Sequence, residues 1–409
     1  MDQPDAVVIG AGTVGLSCAC ALAEAGLRIL VLERHRPGAG ASWANAGWVV
    51  PSHSVPLAEP GVVRRGLRWL VHPESPVYVP LRADRFLWSW LWRFLRSSTN
   101  SHVRRALPLL VRLQLRSFKL YERLAVEEPD FGWCQAGSFT VFADRRQLEE
   151  ACEEVRWLRQ EGIRAEVLDA HGVREREPLL RGDLVGGVYF PGDAHLDPAA
   201  LVEVLARRAA RLGVEVRTGQ AARLRRRGRM VLVQADAAEL QPPAVVVAAG
   251  AWSGLLLRQA GFSLPLVPAK GYSVTVTDAQ LPSSPLMLSE ARVAVTPLPG
   301  GRLRLAGTLE LGVWSLRPNP RRVAAIRRAA ARYLTVGPEG GEVWAGLRPC
   351  TPDGLPAVGR PSVADNLVVA TGHGTFGISL AAVTGELVAG AVVGPAPEDL
   401  LPLSPDRFT

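Results

Sequence analysis

Gly10, Gly12 and Gly15 stand at the spacing G-x-G-x-x-G, with Ala11, Thr13 and Val14 between them. That spacing suits a tight turn at the first glycine, a close backbone approach to a pyrophosphate at the second, and helix–strand contact at the third. The pyrophosphate oxygens would rest on the free amides and the positive dipole end of the helix. Glu33, eighteen residues beyond Gly15, supplies a carboxylate able to accept hydrogen bonds from a ribose diol. The set predicts an adenine-dinucleotide site. The fingerprint alone serves NAD and FAD equally. The following residues, Arg34 to Gly47 (RHRPGAGASWANAG), form a polar loop of small residues where NAD-binding folds run into another crossover helix. Such a loop covers a pyrophosphate and reaches toward a flavin, so FAD is favoured.

These residues need a frame. AVVIG, LSCACALAEAG and LRILVLER read as strand, helix and strand, the strands apolar without alternation as in a parallel sheet covered on both faces. Pro198 opens a helical pattern through Leu212, Gly213 ends it, and VEVRT follows as a strand. After an Arg-rich, hairpin-like stretch at 223–229 comes QPPAVVVAAGAWS, a buried strand ending in glycine. NLVVATGHGTFG and ISLAAVTGELVAGAVV repeat strand, glycine-rich turn and helix. The three segments predict one doubly wound α/β sheet. Between them, 65–125 reads as helical and tryptophan-rich, and 137–143, 186–190, 272–277, 292–297 and 302–308 read as strands of a mostly antiparallel sheet. The expected organisation is a discontinuous dinucleotide domain (1–60, 194–262 and 347–409) with an inserted α+β substrate domain (61–193 and 263–346).

Composition narrows the classes. Of 409 residues, 48% are hydrophobic and 21% charged, as in an ordinary globular protein. Lys plus Arg is 47 against 39 Asp plus Glu, a net +8, yet only Lys119 and Lys270 are lysines and the arginines are scattered, which argues against nucleic acid. Five cysteines without a CxxC pair or a Cys/His set predict neither a disulfide framework nor a metal site. The amino terminus lacks the pattern of a secretory signal and no stretch is long enough to span a bilayer, so a cytoplasmic location is expected.

The chain resembles the FAD-dependent D-amino acid oxidase superfamily and, within it, the bacterial D-amino acid dehydrogenases. The resemblance rests on VVIGAGTVG, GASWANAGWVVPSH (40–53), LDPAALVEVLARRA (196–209), VVVAAGAWS (245–253), KGYSVTV (270–276), WAGLRPCTPDGLPAVGR (344–360) and GHGTFGISLAAVTGEL (372–387), in the family's order over nearly the whole chain. It implies a Rossmann-like FAD domain of the glutathione-reductase type. Gly10 to Gly15, Glu33 and Arg34 would bind the ADP half. Ser42, Asn45, Ala46 and Gly47 would meet the pyrophosphate and flavin, Ala222 the adenine, and Ala249 and Gly250 the cofactor beside a strand end. Gly372, His373, Gly374, Thr375, Phe376 and Gly377 would hold the pyrimidine edge of the flavin.

The resemblance also places Arg348, in GLRP, at the carboxylate-binding position, where a planar guanidinium makes two parallel charge-assisted bonds. Tyr272 falls on the substrate-side strand, where its hydroxyl would orient the carboxylate or amine. His53 and His373 would lie near the flavin, His373 shaping its turn rather than serving as a base. Asn45-Ala46-Gly47-Trp48 departs from the relatives' Asn-Gly-Gly and brings a large ring toward the flavin face. Relatives with covalent flavin carry a cysteine shortly upstream of the TPD triplet. Trp344 to Arg348 contains none and Cys350 directly adjoins Thr351-Pro352-Asp353, so non-covalent FAD is expected.

The implied reaction is oxidative deamination of a D-amino acid to the 2-oxo acid and ammonia, with electrons passed to a quinone or another acceptor. Two alternatives stand beside it: oxidation of a cyclic or secondary amine (D-proline, a hydroxyproline isomer, sarcosine or glycine), and service as the flavin subunit of a hetero-oligomeric dehydrogenase. Residues 86–96, with three tryptophans and two phenylalanines, either touch a membrane interface peripherally or pack on the substrate domain.

Overall fold

The computed structural model describes residues 3–62, 76–80, 83–236, 238–277, 279–337 and 340–409. Four apolar segments, Ala6–Ile9, Ile29–Leu32, Ala244–Val247 and Leu367–Thr371, are fully buried strands. They form the centre of a six-stranded sheet, with Ala357–Gly359 at one edge and Glu215–Arg217 at the other. All its pairings are parallel except that of Ala357–Gly359. Strands buried on both faces need no polar alternation, which is why they read as continuous apolar runs.

The helices Thr13–Glu24, Pro198–Arg211 and Ala381–Val393 cover one face and share its core with Val8, Val31 and Val246. The other face differs from a doubly wound arrangement. It carries the three-stranded antiparallel sheet Arg223–Arg227, Met230–Ala235 and Ala238–Leu240 together with the short helix Ser253–Gln259. Leu224, Val231 and Val233 alternate inward to meet Val7, Ile9 and Leu30, while the arginines of RLRRR stay outside. The Arg-rich hairpin is therefore a cover for the sheet.

Among the described residues the second large sheet has nine strands. Eight run in the order Glu342–Cys350, Val267–Val276, Arg302–Leu311, Val293–Leu298, Leu286–Leu288, Ser138–Phe142, Gly186–Phe190, Glu166–Asp169, and Val77–Tyr78 pairs with Arg302–Leu311. It is antiparallel apart from two pairings, Leu286–Leu288 with Ser138–Phe142 and Val77–Tyr78 with Leu309–Glu310. Every strand read in this region of the sequence is present. The helical reading of 65–125 holds for Arg85–Ser97 and Asn100–Glu127 but not for Val77–Tyr78, a short strand on Leu309–Glu310, and its residues 65–75, 81 and 82 lie outside the described residues.

Register matters here because strand side chains alternate between faces. Ser273, Ala306, Ala294, Met287, Thr140 and Val188 are aligned across six neighbouring strands. All six line the same cavity. Small residues in the middle of that row leave room above the sheet. No helix among the described residues is long and apolar enough to cross a membrane.

Candidate active site

A cleft of about 1120 Å³ runs from the end of the first sheet across the face of the second. At its first end, Ala6–Ile9 stops at Gly10, and Gly12 precedes the helix Thr13–Glu24 without a side-chain cap. Its first amides therefore face the cleft, apart from that of Thr13, which donates to Ser42 Oγ at 3.1 Å. Gly15 packs so closely that a Cβ there would stand 1.9 Å from the Gly10 carbonyl oxygen. Glu33 accepts from the amides of Ala11 at 2.8 Å and His35 at 2.9 Å, which fixes its carboxylate at the strand end.

The loop from Arg34 to Gly47 crosses from this end to the second sheet. Arg34 lies 4.8 Å above the Trp252 ring and Arg36 lies 3.8 Å above Trp43. Asn45 ties the loop internally, donating to the carbonyls of Ala41 and Ser42 and accepting from the Gly47 amide. Three successive carbonyls are then held by the second sheet. Ser273 Oγ donates to Ala44 at 2.6 Å, Arg304 Nη1 to Asn45 at 3.2 Å, and Thr296 Oγ1 to Ala46 at 2.8 Å.

The sequence-derived residues are largely brought together. Gly10, Gly12, Thr13, Val14, Glu33, Arg34, Ser42, Asn45, Ala46, Gly47, Ala222, Ala249, Gly250 and His373 to Gly377 all line the cleft. Ala11, Gly15 and Gly372 do not, serving instead as an amide donor and two close-packing positions. The site fits FAD on this chain's own features. It has a helix N-terminus approached without a Cβ, a carboxylate at the next strand end, a small-residue loop, and a glycine turn at the far end.

At the far end, His373 Nε2 and Thr384 Oγ1 are 2.9 Å apart, and Thr384 Oγ1 donates to the Leu380 carbonyl at 2.8 Å. The hydroxyl proton is thus committed, so Nε2–H donates to Thr384. Burial lowers the His373 pKa to about 4, keeping it neutral. It fastens the Gly374–Phe376 turn to the final helix. His53, also in the cleft, meets Trp48 edge-on at 5.4 Å and Phe190 at 6.3 Å. Burial, with a smaller push from Arg292, brings its pKa down to about 4. Trp48 lines the cleft as expected, its Nε1 donating to Thr296 Oγ1 at 2.8 Å.

Arg348 extends from Glu342–Cys350 over the neighbouring strand, and Nη1 donates to the Thr308 carbonyl at 3.0 Å. Among the described residues no carboxylate lies within ion-pair distance of it, and its guanidinium lines the cleft. Burial pulls its pKa below the ordinary value. A largely desolvated guanidinium facing a cavity is a receptor for a ligand carboxylate.

Tyr272 is placed differently from its expected role. Its side chain, 2% exposed, lies in the core on the opposite side of the sheet with Val274, Ile326 and Tyr333. The hydroxyl donates to Glu310 at 2.8 Å, and Glu310 also pairs with Arg322. Tyr272 also borders the cleft, but strand alternation turns its side chain to the face opposite that of Gly271 and Ser273.

Asp193 was not legible as a site residue. It is buried and accepts from Ser52 Oγ at 2.5 Å, Ser138 Oγ at 2.6 Å and the Ser52 amide at 3.2 Å, so it pins the Pro51–His53 turn to the second sheet. The one hint was an acid in the otherwise apolar YFPGDAHL stretch. Burial outweighs these hydrogen bonds and raises its pKa from 3.8 to about 6. The stability it contributes is complete below pH 3.8 and is lost as pH rises through about 6. Asp193→Asn is therefore expected to lose less stability than the parent between pH 4 and 7, by roughly 1–3 kcal/mol. Thermal melts of both proteins across that range check it, and parallel pH dependence would contradict it.

Fold and site together define a flavin-dependent oxidoreductase. The family model described as FAD dependent oxidoreductase, DAO, matches residues 5–391, and the chain belongs to that family. It is 39% identical over 406 residues to a D-amino acid dehydrogenase of Methylobacterium nodulans, covering 96% of each chain. It is 40% identical over 411 residues to the same-named protein of Methylobacterium radiotolerans, again covering 96% of each. The crystal structure of glycine oxidase from Geobacillus kaustophilus superposes with a TM-score of 0.80 at 25% identity, covering 99% of this chain and 98% of that one. L-proline dehydrogenase from P. horikoshii shares the fold with a TM-score of 0.73 at 19% identity, covering 100% and 98%.

Proposed function

We propose that the chain oxidatively deaminates D-amino acids to 2-oxo acids. The observation that carries this reading is Arg348, a guanidinium without a carboxylate partner among the described residues, standing in the same cleft as the residues that fit FAD. Arg348 binds the substrate carboxylate and so decides which Cα substituent faces the cofactor. Bound FAD supplies the hydride acceptor. The Cα hydrogen leaves with two electrons and the amine loses a proton. Water then adds to the resulting imine, giving the 2-oxo acid and ammonia. Neutral His53 leaves an approaching substrate amine unrepelled, and the aromatic wall of Trp48, His53 and Phe190 excludes water. The D-amino acid dehydrogenases of Methylobacterium nodulans and Methylobacterium radiotolerans support the D handedness.

The FAD is held without a covalent bond, since the Cys350 thiol is buried and its pKa is raised to about 12, which keeps it protonated. The proposed domain division parts the two large sheets except at Glu342–Cys350, a strand of the second sheet that crosses the boundary at 347. A second reading, oxidation of a compact cyclic or secondary amine, is favoured only by the Trp48 wall. Anaerobic addition of D-alanine, D-proline, their L-enantiomers and sarcosine to the yellow protein separates these readings. Bleaching by D-alanine supports the first, and bleaching by D-proline or sarcosine alone supports the second. Turnover of the isolated chain with a dye acceptor excludes an obligatory partner subunit.

Electrons pass onward to a quinone at a membrane surface. Helix Arg85–Ser97 buries Leu87 and Trp90, Trp90 donating to the Cys350 carbonyl at 3.0 Å. Its outer stripe, Trp88, Trp92 and Leu95, is 48%, 62% and 50% exposed, with Arg85, Arg93 and Arg96 on the same helix. An apolar stripe with basic residues suits the boundary of an anionic bilayer. Replacing both Trp88 and Trp92 by Ser is expected to lower partitioning onto phosphatidylglycerol vesicles about tenfold. Equal sedimentation of parent and variant would remove the membrane from this reading.

A further inference from the structure

We infer that Gly271 and the irregular backbone at Thr308 are positioning residues that aim Arg348, and that the missing side chain at 271 sets the enzyme's demand for a carboxylate. The inference rests on the proposed role of Arg348 and extends it to two residues without side-chain chemistry of their own.

Val267–Val276 and Arg302–Leu311 pair antiparallel, and the register shifts between Lys270 and Tyr272. Lys270 is opposite Glu310 and Tyr272 is opposite Gly307. Two residues, Thr308 and Leu309, therefore stand against the single residue Gly271, which is the count of a β-bulge. Thr308 takes φ +67°, a region that a β-branched residue enters only under constraint. The bulge lets its carbonyl accept from Arg348 Nη1 at 3.0 Å instead of completing a regular ladder.

Gly271 completes the seat. An ideal Cβ there would lie 2.1 Å from Arg348 Nη1, 2.6 Å from Cζ and 2.7 Å from Nη2. The guanidinium thus occupies the volume that any other residue at 271 would fill. Gly271 itself needs no left-handed backbone, so its requirement is space. One donor of the guanidinium is spent on Thr308, which fixes the plane in which the others are offered to a ligand.

Gly271→Ala pushes against the movable end of a side chain, so the fold survives while Arg348 leaves its seat. The decisive comparison is a D-amino acid against its amide, D-alanine against D-alaninamide, in the parent, Gly271→Ala, Arg348→Ala and the double variant. The parent should prefer the acid in kcat/KM, and Gly271→Ala should reduce that preference about 100-fold, mainly through KM for the acid, with the amide little changed. Once Arg348 is absent, Gly271→Ala should have no further effect, because the added methyl then meets open space. Retention of the acid preference within threefold in Gly271→Ala, or additive effects in the double variant, would overturn the inference. Pyruvate binding, followed by its perturbation of the flavin spectrum, should weaken in parallel. If the parent oxidises no D-amino acid yet Gly271→Ala abolishes pyruvate binding, the proposed substrate fails while the positioning role stands.

Discussion

Arg348→Ala is expected to lower kcat/KM for a D-amino acid by about 30-fold to several thousand-fold, equivalent to roughly 2–5 kcal/mol, while the protein keeps its flavin. The guanidinium stands apart from the ADP end of the cleft, and among the described residues it donates to the Thr308 carbonyl and pairs with no carboxylate, so its removal leaves no carboxylate orphaned. Arg348→Lys should recover only part of the loss, because an ammonium lacks the fork that meets both carboxylate oxygens. Steady-state kinetics with D-alanine, beside the flavin spectrum of each variant, measure both quantities. Turnover within a few-fold of the parent would remove Arg348 from substrate binding.

Gly15→Ala is expected to yield a protein without flavin, destabilised by roughly 3 kcal/mol or more. The added Cβ would meet the Gly10 carbonyl at 1.9 Å, and because the oxygen is backbone and the Cβ position is fixed by the backbone, no rotamer change relieves the clash. The helix Thr13–Glu24 must move away from the strand, taking its N-terminal amides with it. The flavin-to-protein absorbance ratio of the purified variant and its melting temperature test this. A fully yellow variant with an unchanged melting temperature would show that helix and strand do not need this contact.

The first sheet was legible in the sequence because fully buried parallel strands produce unbroken apolar runs, and the glycine spacing after Ile9 has few other uses. The strand segments of the second sheet were also visible, but their alignment was not. That a register shift falls between Lys270 and Tyr272 depends on pairing with residues some forty positions away, which no local pattern encodes. Tyr272 shows the consequence: the motif KGYS marks the right strand, but only the alternation about Gly271 tells which of its residues face the cleft. Asp193 was hidden for a similar reason, since its partners Ser52 and Ser138 come from distant segments. The hairpin at 223–229 was legible, but not that it covers the first sheet where a doubly wound arrangement has helices, since Leu224 alone among its arginines reaches the core.

The loop that leaves Glu33 has a divided allegiance. Its beginning belongs to the first sheet, yet the carbonyls of Ala44, Asn45 and Ala46 are gripped by Ser273, Arg304 and Thr296 on three different strands of the second. Neither sheet can then shift alone without dragging the cofactor loop across the cleft. Cofactor affinity and the packing of the substrate-facing sheet are in that sense one thermodynamic quantity, and a loosening of that sheet is felt first as a loosened flavin.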